Sequence, residues 1–190
     1  MSDKFFKRLE TSRLILRSMC EDDLSAYLAY RNDPVVGRYQ FWYEPLREAA
    51  ALEWIRAQQA AFPGTPGEWF QFAIERKVGA EMIGHVALKP DEWDPRLAEI
   101  GFALARAHHR QGFAAEAVTA VLNYAFDRLG IHRVQAATDV ENTASIALLE
   151  RLGLRREAHF IENVWFRGKW GSEYRYAILK REWQAIRRSG

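Results

Sequence analysis

Residues 97–130 constrain this chain most, because the hydrophobic period changes once within them and a glycine-bearing loop sits at the change. Ala98, Ile100, Phe102 and Leu104 alternate with Glu99, Gly101 and Ala103, the period of a pleated strand. Beyond the loop, Ala114, Ala117, Val118, Val121, Ala125 and Leu129 recur at helical spacing and form one apolar stripe. Gly130 stands where a left-handed C-terminal cap is expected. The order is therefore strand, loop, helix.

The loop between them is suited to an anion. A helix start leaves N–H groups without acceptors and carries partial positive charge. Gly112, Ala114 and Ala115 let a phosphate approach that backbone, and Arg110 adds a charge. The same glycine also serves an ordinary strand-to-helix turn, so the loop alone leaves both readings open. Two other phosphate loops are excluded: the chain has no G-x-x-x-x-G-K-[ST], and no G-x-G-x-x-G after an early strand.

The rest of the chain alternates strands and helices. Residues 11–19 read as a strand, 21–31 as a helix stopped by Asn32-Asp33-Pro34, and 46–62 as a helix opened by Pro45. Residues 35–44 are irregular and aromatic, with Tyr39, Phe41, Trp42 and Tyr43. Residues 68–77 and 81–88 read as a hairpin turning at Val78-Gly79. Residues 131–140 form a further strand, Asn142 caps a helix to about Leu152, and 160–166 with 173–179 close the chain as a hairpin. This pattern predicts a mixed sheet covered by helices.

Length and charge bound the function. A chain of 190 residues reads as one domain over 1–190. Its 27 basic and 25 acidic residues give +2, too balanced for a protein that coats nucleic acid. One cysteine, Cys20, allows no intrachain disulfide, which fits a reducing, cytoplasmic setting. The N-terminus has no signal-peptide core, and no apolar run approaches the roughly 18 residues of a membrane span.

Three spaced motifs point further. Ala98-Glu-Ile-Gly-Phe-Ala, Gly112-Phe-Ala-Ala-Glu-Ala and Asn142-Thr-Ala-Ser-Ile-Ala-Leu-Leu-Glu-Arg-Leu-Gly-Leu resemble the GNAT N-acetyltransferases, most of all the RimJ/RimL-type branch that acts on ribosomal-protein N-termini. The likeness continues through Leu9-Glu-Thr-Ser-Arg-Leu-Ile-Leu-Arg, Phe166-Arg-Gly-Lys-Trp, Tyr176-Ala-Ile-Leu and Glu182-Trp183. It implies an α/β (α+β) GNAT fold: a mixed, mostly antiparallel, seven-stranded sheet with splayed central strands and about four helices. It implies acetyl-CoA as co-substrate, held in the gap between the strands ending at Leu104 and Thr138.

By that resemblance the backbone from Gln111 through Gly112, Phe113 and Ala114 to Ala115 cradles the diphosphate. His109 stands where the family has Arg or Gln, with Arg110 beside it. Phe102, Ala103 and Leu104 supply the strand that pairs with the pantetheine arm, and Asn142 bonds it. Asn142 is equally a helix cap.

Acetyl transfer to an amine needs a neutral amine and a proton for the departing thiolate. An α-amine with pKa near 7.7–8.0 is neutral in roughly one molecule in ten at pH 7, whereas a lysine near 10.4 is neutral in about one in a few thousand. One carboxylate therefore suffices for an α-amine. Glu99 is the candidate base, and its alternative role is a structural carboxylate. His85 is a second base candidate and an equally ordinary strand histidine. Many relatives use a tyrosine seven residues after the asparagine as the acid. Leu149 stands there, so Ser145, three residues after Asn142, takes that role in the RimL-like alternative. A serine there also serves as a plain cap.

Arg38, Trp42, His85 and Trp170 are candidate acceptor-binding residues, with Trp93, His159 and Glu162 as further lining residues; Arg38 to Trp42 serve equally as a lid on the core. No metal is expected, since His108 and His109 lack ligand spacing. The expected partners are acetyl-CoA and an amine: a protein N-terminus, or a small amine such as a polyamine, amino sugar or antibiotic. No membrane or direct nucleic-acid partner is expected, and a homodimer is left open. A non-catalytic acyl-CoA-binding module is the alternative outside enzymes.

Overall fold

A computed structural model describes residues 6–42 and 45–189. The chain runs β1 (Arg8–Glu10), β2 (Leu14–Arg17), α1 (Leu24–Arg31), α2 (Glu48–Gln59), β3 (Phe70–Arg76), β4 (Met82–Pro90) and β5 (Leu97–Leu104). It continues through α3 (Phe113–Asp127), β6 (Arg133–Asp139), α4 (Thr143–Arg151), β7 (Arg155–Phe166), β8 (Lys169–Leu179) and α5 (Lys180–Ser189). The strands form one sheet in the order β1-β2-β3-β4-β5-β6-β8-β7. Every neighbouring pair is antiparallel except β5 with β6.

The described sheet has eight strands, not the seven expected. The addition is β1, which precedes the expected strand over 11–19, and that strand is shortened to Leu14–Arg17 because Thr11 makes a turn: its N–H donates to Leu14 O at 3.0 Å, and its Oγ1 accepts from Leu14 N–H at 2.9 Å. The chain before it folds back as β1 against β2. Five α-helices replace the expected four, and α5 is the addition. Half of its ten residues are charged, and Trp183 is its buried anchor: it is 3% exposed, tilts against Phe126 and donates from Nε1 to Asn123 Oδ1 at 2.9 Å. The closing hairpin is also longer than expected, because β7 starts at Arg155 and β8 at Lys169.

Two hydrophobic layers sandwich the sheet. On one face Val118, Val121, Leu122, Ala125 and Phe126 of α3 meet Phe70, Phe72, Val86, Leu88 and Ile100. Fully burying each of the larger aliphatic or aromatic side chains contributes about 1.5–3 kcal/mol, so the apolar stripe read from the sequence fixes which way α3 lies. On the other face Tyr27, Tyr30, Ala51 and Ile55 of α1 and α2 cover Ala73, Met82 and Ala103. Ala87 and Gly101, on this same face, lie in the row between that packed patch and the start of β5.

The feature that positions the site is a fork. β5 and β6 pair only through Leu97↔Arg133, Ala98↔Val134 and Glu99↔Gln135. Both strands then continue, to Leu104 and Asp139, without pairing to each other. β6 is held instead by β8 along its full length.

Candidate active site

The fork opens into a cleft of about 390 Å³. Its walls come from Glu99–Phe102 on β5, Ala136–Asp139 on β6, and Asn142, Ser145 and Leu149 around α4. Ala105 N–H donates to Ile83 O at 2.7 Å, toward β4. The alternation of an antiparallel ladder then directs the backbone groups of Phe102 and Leu104 the other way, into the fork. Two side chains show this. Gln40 Nε2 donates to Phe102 O at 3.4 Å, and His109 Nε2 donates to Leu104 O at 2.9 Å. A strand edge with outward N–H and C=O groups is a template for an extended, amide-bearing ligand.

At the end of β5 the chain turns through residues 105–112 into α3. Gly112 is the N-cap with φ +82°, a left-handed conformation that glycine adopts freely. Glu116 N–H is engaged by Gly112 O at 3.1 Å, whereas residues 112–115, as the start of the helix, have no intrahelical acceptor. Glu116 stands just behind. It accepts from Thr11 Oγ1 (2.6 Å), Ser12 Oγ (3.0 Å), Arg13 N–H (2.8 Å) and Arg13 Nε (2.7 Å). These bonds hold its carboxyl below the usual range against the opposing effect of burial, the larger single influence.

Arg13 is the residue at this seat that sequence reasoning missed. Its Nη1 donates to Gln111 O at 2.9 Å, its guanidinium lies 4.4 Å from the Phe113 ring centroid, and its Nη2 is 3.3 Å from where a Gly112 Cβ would stand. A lone arginine 98 residues upstream carries no local signal of this. Arg110 is exposed with φ +60°, and the His109 ring ties the loop to β5 instead of facing the seat. Gln111 turns its amide onto Ala107 O at 2.9 Å.

The candidate reacting groups converge on the cleft. Glu99 lines it, and among the described residues its carboxylate has no hydrogen bond or ion pair. Asn142 Oδ1 accepts from Ser145 N–H at 3.2 Å, so the cap is real, and both side chains border the cleft. Leu149, also lining, offers no proton. His85 accepts from the Tyr30 hydroxyl at Nδ1, 2.8 Å away. That is the hydroxyl's one hydrogen bond among the described residues, and burial keeps Tyr30 protonated. The proton of the neutral ring is thereby placed on Nε2. Burial, and the nearby Arg31, bring the His85 pKa down to about 4. His85 is therefore neutral near pH 7.

Trp42 lies in the roof of the cleft with Tyr39, Gln40 and Phe41. Arg167, at the β7–β8 turn, clamps this roof by donating from Nη2 to Gly37 O at 3.1 Å and Trp42 O at 3.4 Å. Tyr43 and Glu44 lie outside the described residues. Of the candidate acceptor residues, Trp42 and His85 line the cleft and the others do not. Arg38 points outward and pairs with Glu141 at 3.8 Å. Trp170 is 56% exposed and packs edge-on against Trp165, and Trp93 is exposed. His159 lies against Tyr174, and Glu162 occupies a bulge of β7. Asp139, Glu173 and Gln71 line the cleft without having been singled out. Glu173 Oε2 is held by Asn163 at 2.8 Å and Arg175 at 3.3 Å; Gln71 Oε1 is buried with no partner among the described residues.

A sheet that forks beside a glycine-opened helix is the arrangement that the resemblance to acetyltransferases leads one to expect. The chain matches the family model described as "Acetyltransferase (GNAT) domain" over residues 13–155, and it belongs to this family. It is 31% identical over 175 residues to "Uncharacterized N-acetyltransferase YoaA" of Bacillus subtilis strain 168, covering 92% of this chain and 98% of that one. It is 32% identical over 175 residues to "Uncharacterized N-acetyltransferase p20" of Bacillus licheniformis, covering 92% and 97%. Among solved structures, it resembles spermidine N-acetyltransferase from Vibrio cholerae in complex with CoA and spermine, with TM-score 0.78, 25% identity and coverage of 92% and 99%. The chain is an acetyl-CoA-dependent N-acetyltransferase. Its residues fit the co-substrate: bare helix-start amides for a diphosphate, and an unpaired strand edge for an amide-bearing arm.

Proposed function

We propose that this acetyltransferase acts on the α-amine of a protein or peptide N-terminus, within the branch that resembles the RimJ/RimL-type enzymes. The observation that carries the reading is Glu99: a cleft-lining carboxylate at the root of the fork, unpartnered among the described residues, in a wall with no lysine or arginine. One such carboxylate meets the modest demand of an α-amine.

When bound, acetyl-CoA supplies a thioester carbonyl as electrophile and a thiol as leaving group. The amides of residues 112–115 hold its diphosphate, with Arg13 as the nearby cation. Phe102 and Leu104 present backbone groups to the pantetheine arm, and Asn142 fixes it from α4. Glu99 takes the proton from the acceptor ammonium. As the N–C bond forms and the C–S bond breaks, the nitrogen sheds its second proton, and the Ser145 hydroxyl relays a proton to sulfur, regaining one as it gives one. His85 Nε2–H orients the acceptor as a neutral donor.

Replacing Glu99 with Gln tests the base. At pH 7, kcat/KM for a lysine-like amine falls about 100-fold or more, and for a peptide α-amine about 10-fold. Equal losses on both acceptors refute the base. Labelled acetyl-CoA in a cell extract, read by mass spectrometry, identifies the acceptor.

A second reading is a small polycationic amine. Its support is that Glu99, Asp139 and Glu173 line the cleft while no lysine or arginine does. Efficient turnover of spermidine with none on peptides decides for it.

A further inference from the structure

Gly101 is a glycine that neither backbone nor packing requires. It lies in β5 with no positive φ, and a Cβ built on it meets nothing within 4 Å. Gly84 on β4 is the contrast: a Cβ there would lie 2.3 Å from Ala103 O. A strand glycine is also less stable than alanine, because it loses more conformational freedom on folding. The bare position does, however, face the cleft. Its cross-strand partner is Ala87, and Ala87 in turn pairs with Gln71, so the row Gln71–Ala87–Gly101 crosses one face of the sheet. Glu99 and His85 stand on that face in the rows to either side. The floor of the amine side is therefore nearly free of side chains at its centre.

We propose that Gly101 is a specificity-determining residue. Its missing side chain makes room for the substituents on the carbon that bears the reacting amine, so that branched α-amines are accepted. The inference rests on the α-amine reading above. An unbranched amine carries one substituent on that carbon; the first residue of a peptide carries two. The space over Gly101 holds the second.

Gly101→Val and Gly101→Ala test this with a tetrapeptide bearing a free α-amine, an unbranched alkylamine, and CoA. Gly101→Ala keeps or raises the melting temperature, since the methyl enters open space, and raises KM for the tetrapeptide about 3-fold or more. Gly101→Val lowers kcat/KM for the tetrapeptide by about 30-fold, and the ratio of tetrapeptide to alkylamine turnover falls about 10-fold, in the range expected for filling a fitted site. CoA affinity stays within about 2-fold, which places the effect on the acceptor. A ratio that does not move, or a loss of CoA affinity matching the loss of activity, overturns the proposal. If the wild-type protein acetylates the alkylamine and not the tetrapeptide, the α-amine reading fails by itself. The floor is then judged on the alkylamine alone: a KM raised by Gly101→Val keeps Gly101 under the acceptor, and an unchanged KM removes it.

Discussion

Gly112→Ala is the sharpest perturbation of the phosphate seat, because it separates folding from binding. Gly112 has φ +82°, where an L-residue costs roughly 1–2 kcal/mol. The added methyl would lie 3.3 Å from Arg13 Nη2, the tip of a half-exposed side chain that can swing aside. No further packing cost follows, so stability falls by about 1–2 kcal/mol. For a chain of this length that is a melting temperature lower by roughly 2–8 °C. Binding suffers separately, since the methyl stands off whatever approaches the amides of residues 112–115. Loss of one charge-assisted hydrogen bond, about 1.5–3 kcal/mol, raises the Kd for CoA roughly 10–150-fold. Pantetheine has the same arm and no diphosphate, so its Kd stays the same. Titration calorimetry with CoA and with pantetheine, on samples shown folded by circular dichroism, reads both. An unchanged CoA affinity, or equal weakening of the two ligands, refutes the assignment of the diphosphate to this helix start.

Two further outcomes follow from charge and burial. Glu116→Gln loses charge-assisted bonds to the strap at residues 11–13, lowering stability by about 1.5–3 kcal/mol and the melting temperature by roughly 3–12 °C. The folded pKa of Glu116 is depressed, so its contribution is present above the unfolded value near 4.3 and is lost as pH falls; the variant shows a flatter acid limb in a melting-temperature profile. His85, with a folded pKa of about 4 against about 6.5 unfolded, is neutral when folded, so the stability from keeping it neutral is full above pH 6.5 and lost as pH drops toward 4. The slope approaches about 1.4 kcal/mol per pH unit. His85→Gln removes this slope, and a His85 imidazole that titrates near 6.5 by NMR contradicts the buried Tyr30 pairing.

The sequence was most legible where local chemistry decides. The period change at residues 97–130 located β5 and α3, and Gly112 stands as the helix cap. Asn142 was read as a cap, and its side chain does accept from Ser145. Long-range contacts hid the rest. Arg13 reaches the α3 start through a turn set by Thr11, which also shortens the expected first strand. Trp42 and Trp170 were both candidates from the sequence; the contact from Arg167, reaching over 125 residues, ties Trp42 to the roof, and Trp170 lies outside the cleft. The last helix was invisible because a single buried tryptophan holds a segment that is otherwise mostly polar and charged.

The short seam between β5 and β6 has a mechanical consequence. Three residue pairs join a leaf made of β1 to β5 to a leaf made of β6, β8 and β7. A ligand that bonds to both free edges works like a zip, carrying stress from leaf to leaf where peptide groups do not. Amide protons at the far end of β8, from Tyr176 to Leu179, which line no part of the cleft, then report on its occupancy.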